Sequence, residues 1–309
     1  MKRLLLVTAV LVFALSVGMA SAKDNLSGTL SLSGAWAIYP LAIEWGQAFQ
    51  KIHPNVKLNI SAGGAGKGMT DVLNGTVDIG MVSREIDKSE KAKGAAPFFI
   101  AKDGVFAVVN AKNPAISLIL NRGITKEKLT GIFITHKVTT WKQAVGGPDK
   151  PIRVYTRSDA CGAASAWAAT LGKYKQEDLK GVGVSGDPGL LQAVQRDTLG
   201  IGFNNLGFAF SGDKVARGVV LVPIDANDNG RADADERIEN RSTAYKEIAS
   251  GRYPGSRKEY FVTKGKPGSL ARAFIQFALS DAGTRVLDKV GGYVPLSSSE
   301  RNAQLKNLR

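Results

Sequence analysis

The sequence predicts an α/β protein of two lobes with a ligand cleft between them. Short alternating apolar strands repeatedly give way to helical patterns. At 309 residues the chain is longer than one small core requires. Two buried-looking runs, Gly104 to Asn110 and Glu259 to Thr263, suit strands that cross between lobes and form a hinge. The expected division is residues 25–108 plus 260–309 in one lobe and 109–259 in the other.

The first 22 residues read as a signal peptide. Lys2 and Arg3 precede an uncharged apolar run, Leu4 to Val17, and Ala20-Ser21-Ala22 supplies a small-x-small cleavage pattern. The run is short of the ~20 residues a membrane span needs. Cleavage after Ala22 and export to a periplasm are expected. Leu30 and Leu32 then alternate in a strand. Pro40 opens a helix with Leu41, Trp45, Ala48, Phe49 and Ile52 on one face. Val56 to Ile60 is a second strand, Met69 to Leu73 a short helix, and Val77 to Met81 a third strand. Further on, Ile152 to Arg157 is a strand, and Ala163 to Leu171 and Pro188 to Arg196 are helices. Leu199 to Phe203 and Val219 to Val222 are strands, and Ser269 to Val290 reads as one helix.

Lys and Arg number 41 against 27 Asp and Glu, a formal charge of +14, which favours anionic partners. The basic residues are scattered, which argues against nucleic acid. Cys161 is the single cysteine, so no disulfide forms within the chain. The two histidines, His53 and His136, lack metal-ligand spacing, and no Ser/His/Asp or Cys/His set is visible. An enzyme is therefore not expected.

The chemistry lies in three loops, each leading from a strand into a helix: Ser33 to Ile38, Ser61 to Gly68, and Arg157 to Ala164. A helix start carries free N–H groups and partial positive charge, and three of them converging would cage an anion. One such loop alone is an ordinary turn; the set of three points to function. The candidate cleft residues are Trp36 and Ala37, Ala65 and Gly66, Ser83 and Arg84, and Arg157 with Cys161, Gly162 and Ala163. Arg84 and Arg157 sit at strand ends, where a guanidinium fork can hold an oxyanion. Gly66-Lys67-Gly68 lacks the Ser or Thr of a nucleotide P-loop, and Ser61 stands where its first glycine belongs.

At these loops the chain resembles the phosphate-binding proteins of bacterial phosphate ABC importers, which have the type II periplasmic-binding-protein fold. The resemblance rests on Ser33-Gly34 through Pro40-Leu41, Gly63 to Gly68, and Asp78-Ile79-Gly80 leading to Ser83-Arg84-Glu85. It continues with Arg157 ahead of Cys161-Gly162-Ala163, Ile201-Gly202-Phe203, and Gly292 to Leu296. It implies a monomeric carrier of phosphate that serves a membrane permease. The departures are equally specific. Ala65, Cys161 and Ala163 stand where that family usually places serine or threonine, and the first loop reads Ala35-Trp36-Ala37. Each missing neutral hydrogen bond is worth about 0.5–1.5 kcal/mol. Another anion therefore stays open as the ligand, as does a calcium-stabilised adhesion, matrix or sensor protein on the same fold without transport.

Residues 225–236 resemble an EF-hand loop. Asp225, Asn227 and Asn229 fall at positions one, three and five, and Gly230 at six. Arg231 offers a carbonyl at seven, Asp233 stands at nine, and Glu236 at twelve. Ala232 at position eight and the strand-like segment before Asp225 depart from the pattern. The pattern implies a structural Ca2+ in the second lobe.

Overall fold

A computed structural model describes residues 26–308; the signal-peptide reading lies outside them. Among the described residues the main sheet uses nine strands: β1 (Gly28–Gly34), β2 (Val56–Ala62), β3 (Ile79–Val82), β4 (Ala95–Asn110), β5 (Arg153–Arg157), β6 (Val182–Val184), β7 (Gly200–Asn205), β8 (Val219–Leu221) and β9 (Ser256–Lys264). Their order is β2-β1-β3-β9-β4-β7-β5-β6, and β8 pairs with β4 as well. β1 runs parallel to β2 and β3, and β5 runs parallel to β6 and β7. β9 is antiparallel to β3 and β4. Four helices matter for the site: α1 (Tyr39–Ile52), α2 (Ala65–Asn74), α3 (Gly162–Leu171) and α4 (Gly186–Arg196). This is the type II periplasmic-binding-protein fold.

The apolar side chains divide into two cores. One gathers Leu30 to Ala101 with Tyr260, Phe261, Val262 and the C-terminal helices. The other begins at Val105 and runs to Ile248. β4 belongs to both: its first part pairs with β9, and its last part lies between β7 and β8. The change of core falls at Asp103 and Gly104. Opposite them on β9 stand Arg257 and Ser256. A buried cluster of charged side chains, Asp103, Arg257 and Glu259, thus marks the place where the two crossing strands pass from one core to the other.

Local signals account for the elements. Pro40 lies in the first turn of α1, and Leu41, Ala42, Trp45 and Phe49 form its buried face. Ile52, expected on that face, is exposed, because α1 is ending there and His53 closes its last turn. The expected single helix over Ser269–Val290 is two helices, Ser269–Ala278 and Asp281–Val290. Ser280 breaks it: its hydroxyl accepts the Gly283 N–H (3.1 Å) and caps the second helix.

Candidate anion-binding cleft

The first two loops are locked together at the end of β1. The carbonyl of Gly34 accepts the N–H groups of both Gly63 and Gly64, each at 2.9 Å. Gly34 has φ +136°, and a Cβ there would lie 2.2 Å from the Met81 carbonyl and 2.9 Å from the Gly68 Cα. Only glycine lets the start of α2 approach the strand ends so closely.

The third loop meets them from the other lobe. The Gly66 N–H donates to the Ala160 carbonyl at 3.0 Å. Gly162, the first residue of α3, packs on Ser83; a Cβ at 162 would stand 2.1 Å from the Ser83 carbonyl oxygen and 2.2 Å from its hydroxyl. Trp36 reaches across to the start of α4: a Cβ at Gly186 would be 3.3 Å from the indole. Trp36 also stands edge-on to Tyr39, with ring centroids 6.3 Å apart.

Helix geometry leaves donors at this meeting point. Among the described residues, the N–H groups of Trp36, Ala37, Ala65, Gly162 and Ala163 have no protein acceptor. Ala37, Ala65, Gly162 and Ala163 are buried. Buried unpaired N–H groups are rare and costly, and here they come from the turn just before α1 and from the first turns of α2 and α3. Cys161 caps α3, its sulfur accepting the Ala164 N–H at 3.2 Å. Burial pushes its thiol pKa up to about 12, the opposite of what a nucleophilic cysteine requires.

The two candidate arginines differ in setting. Arg157 is enclosed, its side chain 1% exposed. Its Nε and Nη2 hold Asp159 at 2.8 and 2.6 Å, and its Nη1 holds Asp187 at 2.7 Å. Burial opposes its charge, yet the neighbouring carboxylates raise its pKa. Asp159 also accepts the Gly186 N–H at 3.2 Å, and Asp187 accepts the Asn205 amide at 2.9 Å. Burial raises the Asp187 pKa. Arg84 is forked onto Glu90 at 2.9 and 2.7 Å and lines a crevice together with Gly66 and Cys161.

Sequence reasoning missed the carboxylates Asp159 and Asp187 and the hinge network beneath the loops. Arg257 binds Asp103 at 2.6 Å, lies 3.2 Å from Glu259, and donates to the Ser83 carbonyl at 3.1 Å. Both Glu259 carboxyl oxygens are buried without a hydrogen-bond partner. Burial holds its pKa well above the ordinary carboxylate range. The alternation of Arg257 and Glu259 inside a crossing strand was the available signal.

The EF-hand-like loop closes on its own backbone. Asp225 accepts the N–H groups of Asn229 (3.2 Å) and Gly230 (2.9 Å). Glu236 accepts those of Ala226 (2.7 Å) and Asp233 (2.9 Å). The Asn227 and Asn229 amides and the Arg231 guanidinium donate to Asp233. Asp228 and Gly230 take φ of +56° and +76°. Among the described residues, no three His, Cys, Asp or Glu side chains form a metal-binding cluster.

Two lobes, two crossing strands and a backbone cage between them define a ligand-binding clamp. The chain belongs to the PBP superfamily, whose domain matches residues 20–282. It is 28% identical over 283 residues to the phosphate-binding protein PstS of Bacillus subtilis, covering 90% of this chain and 84% of that protein. It is 26% identical to the phosphate-binding protein PstS of Pseudomonas aeruginosa, over 100% of this chain and 99% of that protein. It superposes with a TM-score of 0.71 on a putative phosphate ABC transporter substrate-binding protein with bound phosphate from Clostridium perfringens. That structure is 25% identical, and the match covers 87% of this chain and all of that one.

Proposed function

We propose that this protein is an exported, monomeric substrate-binding protein that captures phosphate or a related oxyanion and delivers it to an ABC importer permease. The observation that carries the reading is the set of buried, unpaired N–H groups in the turn before α1 and in the first turns of α2 and α3. Such donors suit an anion's oxygens. The relatives named above support phosphate as that anion and transport as the purpose. Capture is by closure onto the backbone donors, with Arg157 held beside them by Asp159 and Asp187. A permease would distinguish loaded from empty forms by contacts that exist only when the lobes are shut. No chemical step on the ligand is proposed.

Equilibrium dialysis of the phosphate-stripped protein against labelled phosphate, with sulfate and arsenate as competitors, tests the reading. Saturable binding at one site per chain supports it; no retention of any of the three overturns it.

The 225–236 loop carries a separate proposal, a structural Ca2+ held by Asp225, Asn227, Asn229, the Arg231 carbonyl, Asp233 and Glu236. It is supported by the sequence spacing and by the side chains at positions one, nine and twelve all being drawn into the loop. An ion would replace the Asn-to-Asp233 hydrogen bonds with oxygen coordination.

A further inference from the structure

Beside the three loops lies a crevice that a tetrahedral oxyanion does not need. Its volume is about 830 Å³, within the ~300–1,000 Å³ range of sites that enclose small organic molecules. Gly66 and Cys161 border it, so it is continuous with the anion loops. Ala166 and Ala169 of α3 line it, as does Tyr174.

The charge around the crevice is balanced. Arg84, Lys175 and Lys258 line it together with Glu85, Asp87 and Glu177, and Arg257, which lines it too, is already neutralised by the buried Asp103. A balanced polar lining suits hydroxyls or a zwitterion, and neither a second dianion nor a hydrocarbon tail. A second, independent observation concerns the loops. Positions 65 and 163 are alanines, and the Cys161 sulfur is occupied by the Ala164 N–H. A free oxyanion would find backbone donors and few side-chain donors, whereas a ligand with an added polar group would gain contacts in the crevice.

We propose that the protein takes a phosphate monoester bearing a small polar organic group. The phosphoryl oxygens lie on the N–H groups of the three helix starts, and the organic group extends past Gly66 and Cys161 into the crevice. This rests on the anion-binding reading above and narrows its substrate class. An ester oxygen passing Gly66 exchanges the Ala160 carbonyl for the ligand as acceptor of that N–H, so the ester enters without leaving a donor unpaired.

The test is titration calorimetry of the stripped protein with inorganic phosphate and with glycerol 3-phosphate, on the unmodified chain and on Ala169→Trp. Ala169 is exposed on α3 and lines the crevice, so tryptophan there fills space without entering a core. The expected result is an ester affinity at least about tenfold above that of phosphate. A169W should lower ester affinity by about tenfold or more and leave phosphate within about twofold. Phosphate binding as tightly as the ester, or a variant that weakens both equally, overturns the proposal while leaving anion binding intact. Failure of both ligands on the unmodified chain overturns the anion reading as well.

Discussion

Replacing Gly162 with alanine tests whether the lobes close as described. The added methyl carbon would stand 2.1 Å from the Ser83 carbonyl oxygen and 2.2 Å from its hydroxyl. Ordinary contact begins at 3.4 Å, so α3 must retreat by more than an ångström or β3 must yield. Overpacking of this kind costs about 1–3 kcal/mol. The cost falls only on the closed form, because Gly162 belongs to one lobe and Ser83 to the other. When the lobes part, alanine in the first turn of a helix is at least as favourable as glycine. At about 1.4 kcal/mol per decade, G162A should bind phosphate about 5- to 150-fold more weakly. The melting temperature of the ligand-free variant should stay at or above the unmodified value. Calorimetry and differential scanning fluorimetry on the same preparations read both quantities. Phosphate affinity within about twofold of the unmodified protein would refute the closure geometry.

Three further outcomes follow from the buried charges and the acidic loop. Arg157→Ala leaves Asp159 and Asp187 without their cation, and urea denaturation should show a loss of about 3–5 kcal/mol; an unchanged midpoint would contradict the enclosed pairing. Glu259 holds its proton in the folded state above its ordinary value of 4.5, so the folded form binds more protons than the unfolded form in that window. Its contribution to stability is complete below the unfolded pKa and is lost as pH rises through the folded one. Glu259→Gln should therefore lose less stability than the unmodified chain as pH rises above the ordinary value of 4.5; equal slopes in urea titrations would contradict this. Calcium should raise the melting temperature, a chelator should reverse the rise, and Glu236→Gln should abolish it. A calcium-indifferent melt would remove the ion from the account.

The strand–loop–helix organisation was legible because it is local. Period-two strands, Pro40 in a first turn, and small residues at Gly63 to Gly68 each act within a few residues, and backbone donors need no particular side chain. The partners of the charged groups were not legible. Arg157 resembles an anion ligand in the sequence, yet its fork is filled by Asp159 and by Asp187, thirty residues on. Arg84 is forked onto Glu90, a residue that also accepts the Asp87 N–H at the start of the next helix. Asp103 and Glu259 lie in apolar strands, and only the pairing of β4 with β9 reveals that both flank Arg257. Ser280 was hidden by apolar periodicity that continues on both sides of it, so its capping role emerged only with the break in the helix.

The central claim is that three helix starts hold an anion between the lobes. Titration calorimetry of the phosphate-stripped mature protein with inorganic phosphate tests it most directly. The account predicts one exothermic site per chain, with affinity lost as G162A blocks closure. No heat of binding with phosphate or with any other tetrahedral oxyanion, from a protein that melts cooperatively, would contradict it.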